Sequence, residues 1–304
     1  MNIVVLGAGA VGGYFGGKIS AAGHPVQFLV RKRRYEQLKN RGLKVESVHG
    51  DFSIEPNLII DPSEAENPDL VILGLKNYHI EGAIPQLKQL VEKGAKILPL
   101  LNGIEHLDLL TEELGQENVL GGLCYIESTL NTEGDIIQTS SMHDVIFGPL
   151  TSVDQAFLQE VESIMKQAEF NVTLTDSILE EIWKKFVFIT SFSGITSAVR
   201  APIGVVIQDQ VASEFLRDLI TEVYEISKAR KIALPEDTVE SVMQKLQGAS
   251  PKFTSSMHRD LQKGLPLELD SLHGYLLKLG KQHQIETPTL KAIYALLHPF
   301  KEGE

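Results

Sequence analysis

The first twelve residues constrain this chain more than any other segment. Residues 2–7 read NIVVLG, a near-continuous apolar run of strand length. Such a run suits a strand whose two faces are both covered by helices, as in a parallel sheet. It leads directly into GAGAVG, with glycines at 7, 9 and 12. In that spacing the first glycine permits a tight turn. The second lets backbone N–H groups approach a pyrophosphate, and the third lets the next helix pack closely on the strand. The helix N-terminus then faces the anion. Gly7, Ala8, Gly9, Ala10, Val11 and Gly12 are therefore the expected dinucleotide loop. Glycines at this spacing also serve ordinary turns; the placement between a strand and a helix favours the nucleotide.

The pattern after this loop continues to alternate. Helices are expected over 9–23, 35–42, 79–94 and 104–115, and strands over 25–31, 70–76, 95–103 and 119–130. Segments 43–47 and 51–60 read as a hairpin or strand pair, and 134–141 and 144–150 as antiparallel additions. Segments 158–170 and 171–176 close this half. Alternating βα units imply a parallel, doubly wound sheet. Beyond about residue 175 the strand pattern gives way to helical periodicity over 177–199, 209–230, 235–248, 252–262, 267–284 and 287–297. The expected fold is α/β: a Rossmann-type doubly wound sheet over 1–174, then an all-α domain over 175–304.

Charge narrows the partners. The 304-residue chain carries a formal net charge of −12. That balance argues against general nucleic-acid binding and against docking on anionic membrane. It also makes the run Arg31, Lys32, Arg33 and Arg34 conspicuous. The run follows the second strand, where an NAD-preferring enzyme usually holds the ribose hydroxyls with an acid. A cation there can pair with a 2′-phosphate instead. Arg31, nearest the strand end, is the expected contact; a solvated helix start is the competing reading. Lys76 and Asn102 likewise end apolar strands, on the edge where parallel sheets hold their ligands. Asn102 with Gly103 also suits a simple turn. The single cysteine, Cys124, lies in an apolar run and fits a reducing compartment. No apolar run reaches the ~20 residues that span a bilayer. The opening residues lack the features of a signal peptide, so a cytoplasmic protein is expected.

The helical half carries two polar constellations. In the first, Lys185, Ile189, Ser193 and Thr196 fall on one side of an otherwise apolar helix. A lysine there can serve as a general acid or simply snorkel to solvent. The second is SSMHRDLQKGLPLELDSLHG at 255–274, with Ser255, Ser256, Glu268 and Asp270 near helix starts, where hydroxyls and acids also act as caps. The histidines show no metal spacing and no G-x-S-x-G elbow occurs, so neither a metal nor an acyl-enzyme is expected.

GAGAVG, Lys76, LNG at 101–103, WKK at 183–185 and the 255–274 segment together resemble the ketopantoate reductase family. The resemblance runs through nearly the whole chain. It implies a dinucleotide domain followed by a helical domain, substrate in the cleft between, and NADPH-dependent reduction of 2-dehydropantoate in the pantothenate route. By the same resemblance Lys185 protonates the nascent hydroxyl, and Glu268 lies by cofactor ribose and substrate. Asn102 contacts cofactor and substrate, Lys76 lines the cleft and binds cofactor, Arg31 holds the 2′-phosphate, and Ser256 binds the substrate carboxylate region. A homodimer is implied as well. In one place the sequence departs: family members carry Asn four and eight residues after the lysine, where this chain has Ile189 and Ser193. Ser193 then becomes the expected substrate contact on that wall. The alternatives are a relative acting on another small 2-keto acid, or a catalytically silent NADP-binding sensor.

Overall fold

The computed structural model describes residues 1–303. It comprises two compact units, residues 1–101 with 106–178, and residues 102–105 with those from 179 onward. The first unit runs through β1 (Ile3–Leu6), α1 (Ala10–Ala21), β2 (Val26–Leu29), α2 (Lys32–Arg41), β3 (Leu43–Ser47) and β4 (Phe52–Ile54). Then come β5 (Asn57–Ile59), β6 (Leu70–Leu73), α3 (Ile80–Glu92), β7 (Lys96–Pro99) and α4 (Glu105–Leu114). β8 (Leu120–Leu130), β9 (Ile136–Pro149), α5 (Gln155–Gln167) and β10 (Asn171–Leu174) complete it.

Five strands form the expected parallel sheet in the order β5-β2-β1-β6-β7. The chain moves one way from β1 to β2 and the other way to β6, so a switch point lies beside β1. A second sheet, β10-β9-β3-β4 with β8 on β9, was not anticipated as a separate layer. Two sequence expectations change here. Residues 51–60 are not one strand: β4 pairs antiparallel with β3, while β5 joins β2 in the parallel sheet. Pro56 lies at the break, and a proline has no N–H to give a ladder. Segments 134–141 and 144–150 are not two additions but one 14-residue strand, β9. It pairs with β3 near one end, β10 near the other and β8 along most of its length.

Helix α1 lies between the two sheets, and its sequence GGYFGG explains how. A Cβ at Gly16 would sit 2.5 Å from Val5 Cγ2 and one at Gly13 would sit 2.6 Å from Ile136 Cδ1. Val5 belongs to the first sheet and Ile136 to the second. Missing side chains on both faces thus let the helix approach both layers, while Tyr14, Phe15 and Ile19 fill the space between. This two-sided burial removes the amphipathic signature a surface helix would show.

Among its described residues the second unit contains helices and no strand: α6 (Ile178–Ala198, its first residue grouped with the first unit), α7 (Ile203–Gln208), α8 (Gln210–Ala229), α9 (Thr238–Gln247), α10 (Ser256–Gln262), α11 (Tyr275–Gln282) and α12 (Pro288–Leu297). Short α7 had no counterpart in the sequence pattern, and the expected helix 252–262 begins only at Ser256. The expected helix over 267–284 enters through a π turn, Asp270–Gly274, before α11. Among the described residues no helix is long and apolar enough to cross a membrane.

One carboxylate in this unit acts on a neighbouring helix. Glu222 of α8 accepts from Thr289 N and Leu290 N, both at 2.8 Å, at the start of α12. Two helix-end donors are satisfied by one acid that also complements the helix dipole. Glu222→Ala is expected to lower unfolding free energy by about 1–3 kcal/mol, read as a lower urea midpoint at unchanged slope.

Candidate functional site

The expected dinucleotide loop occupies the carboxyl end of β1. Gly7 takes φ +99°, a value open to glycine but rarely to other residues. A Cβ at Gly12 would fall 2.2 Å from the Gly7 carbonyl oxygen, and one at Gly74 would fall 2.7 Å from Gly12 Cα. Loop, helix and the end of β6 therefore interlock by backbone contact. Gly9 differs: a Cβ there would meet no protein atom within 4 Å. Gly9 is also the N-cap of α1 and gives no side-chain cap. An open side at Gly9 and a helix start without a side-chain cap fit a dinucleotide pyrophosphate.

Arg31 and Lys76 belong to the same edge. Arg31 is the exposed N-cap residue of α2, directly after β2. Its charge, after burial, depresses the proton affinity of His79. Lys76 is half-buried just past β6 and caps the short turn Asn77–His79, whose last N–H donates to the Lys76 carbonyl at 2.9 Å. Leu75, its neighbour, packs within 2.7 Å of the position a Gly7 Cβ would take. The four cations of the basic run separate here. Arg31, Lys32 and Arg33 are exposed, whereas Arg34 turns inward and donates from Nε to the Ala8 carbonyl at 3.0 Å.

The remaining expected residues lie in the helical unit. Adjacent lysines on α6 part ways: Lys184 pairs with Glu181 at 2.7 Å, while Lys185 is only 8% exposed. Residues 102–105 cluster with this unit. Gly103, at φ +86°, brings Asn102 against it: a Cβ at Gly103 would lie 3.0 Å from Leu272 Cδ2 and 3.7 Å from Phe186 Cε2. Phe186 follows Lys185, and Leu272 belongs to the π turn. Glu268, 7% exposed, precedes that turn, and its carbonyl accepts from Ser271 Oγ at 3.2 Å. The segments carrying Asn102, Lys185 and Glu268 thus converge. The two serines have different settings. Ser193 is buried, with Oγ 3.4 Å from the Thr190 carbonyl, and Ser256 is exposed at the first position of α10. Ile189, one turn beyond Lys185, is only partly buried.

Two buried contacts fix α6 and were not legible in the sequence. His273, fully buried in the π turn, makes a 3.0 Å hydrogen bond from Nε2 to the Thr190 carbonyl. Gly194 makes room for it, since a Cβ there would stand 2.6 Å from that nitrogen. Ser255 caps α10, accepting from His258 N at 3.1 Å, and its Oγ lies 3.2 Å from Thr196 Oγ1 of α6. His273 and Thr190 are 83 positions apart, so no local pattern announces the pair. The one available signal was a histidine inside an apolar helical run.

Known proteins match this arrangement along its length. The family models for ketopantoate reductase PanE/ApbA and for its C-terminal part match residues 3–152 and 177–302. An oxidoreductase of Bacillus subtilis described as uncharacterized, YkpB, is 35% identical over 303 residues, covering 99% of both chains. A 2-dehydropantoate 2-reductase of Nostoc is 26% identical over 301 residues, 95% of this chain and 92% of that one. The crystal structure of a 2-dehydropantoate 2-reductase from Geobacter metallireducens superimposes with a TM-score of 0.88 at 27% identity, covering 98% and 99% of the two chains. Fold and matches together define an oxidoreductase. The chain belongs to the ketopantoate reductase family.

Burial pushes the His273 imidazole down to about 4, against some opposition from the Thr190 carbonyl. The unfolded chain, with an ordinary histidine near 6.5, binds this proton more readily than the folded one between those values. Stability from this residue is therefore complete above about pH 6.5 and is lost as pH falls toward 4, on the order of 3 kcal/mol in all. His273→Gln is expected to flatten the fall in urea midpoint between pH 7 and 4.5. An unchanged slope would remove His273 from the acid response.

Proposed function

We propose that this protein reduces a small 2-keto acid with NADPH, with 2-dehydropantoate as the leading substrate and pantoate, a precursor of pantothenate and coenzyme A, as product. The observation that carries the reading is the burial of Lys185, on a helix whose neighbours bring in Asn102 and Glu268. Reduction of a ketone develops negative charge on its oxygen. A preorganised ammonium stabilises that charge and holds at Nζ the proton the oxygen takes up. When bound, the reduced nicotinamide supplies the hydride. Asn102 and Glu268 orient polar groups of cofactor and substrate, and Ser256 and Ser193 contribute hydroxyls toward the acid. On the first unit, loop 7–12 holds the pyrophosphate, Lys76 adds positive charge at the strand edge, and Arg31 pairs with the 2′-phosphate.

Ile189 supports a second reading, a different 2-keto acid. A partly buried apolar side chain one turn from Lys185 gives no hydrogen bond to a substrate hydroxyl. Losing one such bond typically costs about 1–3 kcal/mol. Pairing with a second copy, as the family resemblance implies, is measured directly by sedimentation. Buried Cys124, with no second cysteine to pair, suits a reducing cytoplasm.

Following NADPH absorbance with 2-dehydropantoate and a panel of 2-keto acids tests the substrate. Turnover of another acid alone selects the second reading; tight NADPH binding without any turnover selects a silent sensor. Lys185→Ala is expected to lower kcat by about 10²–10⁴-fold, and a near-normal rate would end its role as proton donor. Arg31→Asp is expected to weaken NADPH far more than NADH. Equal losses would exclude a 2′-phosphate contact.

A further inference from the structure

Arg34 looks in sequence like one more member of a surface charge run, but its guanidinium is committed to backbone. Nε donates to the Ala8 carbonyl at 3.0 Å, and Nη1 donates to the Gly134 carbonyl at 2.8 Å and to Gln37 Oε1 at 2.7 Å. Nη2 is buried and makes no hydrogen bond among the described residues. Burial lowers its proton affinity, as expected of a cation taken out of solvent. A guanidinium so placed is not displayed to a phosphate in solvent.

The far end of the clamp is the turn at 131–135, between β8 and β9. Asn131 Oδ1 accepts from Glu133 N and Asp135 N at 2.9 Å each, and Gly134 N donates to the Asn131 carbonyl at 3.0 Å. This self-braced turn docks on one face of α2. Gln37 Nε2 donates to the Glu133 carbonyl, and Arg41 pairs with Glu133 and with Asp135. Positions 34, 37 and 41 follow helical spacing, so three side chains from one stripe hold one turn.

The near end decides the function. Ala8 lies between Gly7 and Gly9, and a trans peptide points its C=O and N–H in opposite directions. Holding the Ala8 carbonyl toward Arg34 therefore aims the Gly9 N–H away from it, fixing the one part of the loop whose glycines do not interlock with other backbone. We infer that Arg34 is a positioning residue for the dinucleotide loop, and that turn 131–135 belongs to the nucleotide-binding apparatus without touching the nucleotide. The inference rests on the reading of loop 7–12 as the pyrophosphate site. Because that loop serves either coenzyme, Arg34 acts on NADPH and NADH alike, unlike Arg31.

Calorimetric titration of the full chain with NADPH and with NADH tests this. Arg34→Lys keeps the charge but loses the planar fork. It is expected to weaken both coenzymes by a similar factor, about tenfold, with KM for the coenzyme rising more than kcat falls. Gln37→Ala, which loosens the same clamp without touching Ala8, is expected to weaken both about threefold and covers the case of an Arg34 variant that does not fold. Affinities within twofold of the parent in both variants, with the parent binding normally, would overturn the inference alone. A loss confined to NADPH would overturn it too, by making Arg34 a 2′-phosphate contact. A parent chain that binds neither coenzyme would overturn the pyrophosphate reading and this inference with it.

Discussion

The first unit depends on a backbone contact that no side chain could survive. Gly12 approaches the Gly7 carbonyl so closely that a β-carbon would overlap it, and Gly74 closes on Gly12 from β6. That contact fixes where α1 starts, and so where its N–H groups point. It also fixes the pitch at which the helix enters the space between two sheets. The glycines at 13 and 16 then carry the same close approach along the helix, one toward each layer. One motif thus has two consequences: a helix start left open at Gly9, and a three-layer core around a helix with almost no polar face.

The second unit is organised differently, around α6 and its small buried residues. Thr190, Ser191, Ser193, Thr196 and Ser197 are all buried on this helix. Small polar side chains let neighbours come close, and Thr196 Oγ1 makes one contact, to Ser255 Oγ, that a leucine could not. His273 takes the Thr190 carbonyl and Ser255 meets Thr196, so the π turn and α10 are both pinned to the helix that carries Lys185. π turns inside helices often mark functional segments. Here the turn begins two residues after Glu268.

What the sequence reveals and what it conceals follow from separation along the chain. The parallel sheet, the loop at 7–12 and the long helix α6 rest on local periodicity and glycine spacing, and they are legible residue by residue. The second sheet is not, because β9 takes its partners from residues 43–47, 120–130 and 171–174. Its polar middle, SSMH, reads as a break until β8 is seen beside it. Arg34 is concealed in the same way. Four adjacent cations carry one compositional signal, and only a contact 100 positions away, at Gly134, separates the one that is structural from the three that face solvent. Lys184 and Lys185 pose the same problem at closer range: helical phase assigns them different sides, but only packing shows which is buried.

The short segment 102–105 has a further consequence. It interrupts the first unit, yet clusters with helices that begin more than seventy positions later. Three chain crossings, rather than one, therefore connect the units. A fragment ending after α5 and β10 would carry this segment away from Leu272 and Phe186, against which Gly103 is packed. Neither unit is thus a portable module in the genetic sense. A recombination that joined this first unit to a foreign helical unit at a single point would also have to inherit a compatible neighbour for Gly103. The segment around 101–105 and the turn around 268–274 therefore form one packed part drawn from two distant stretches of the chain.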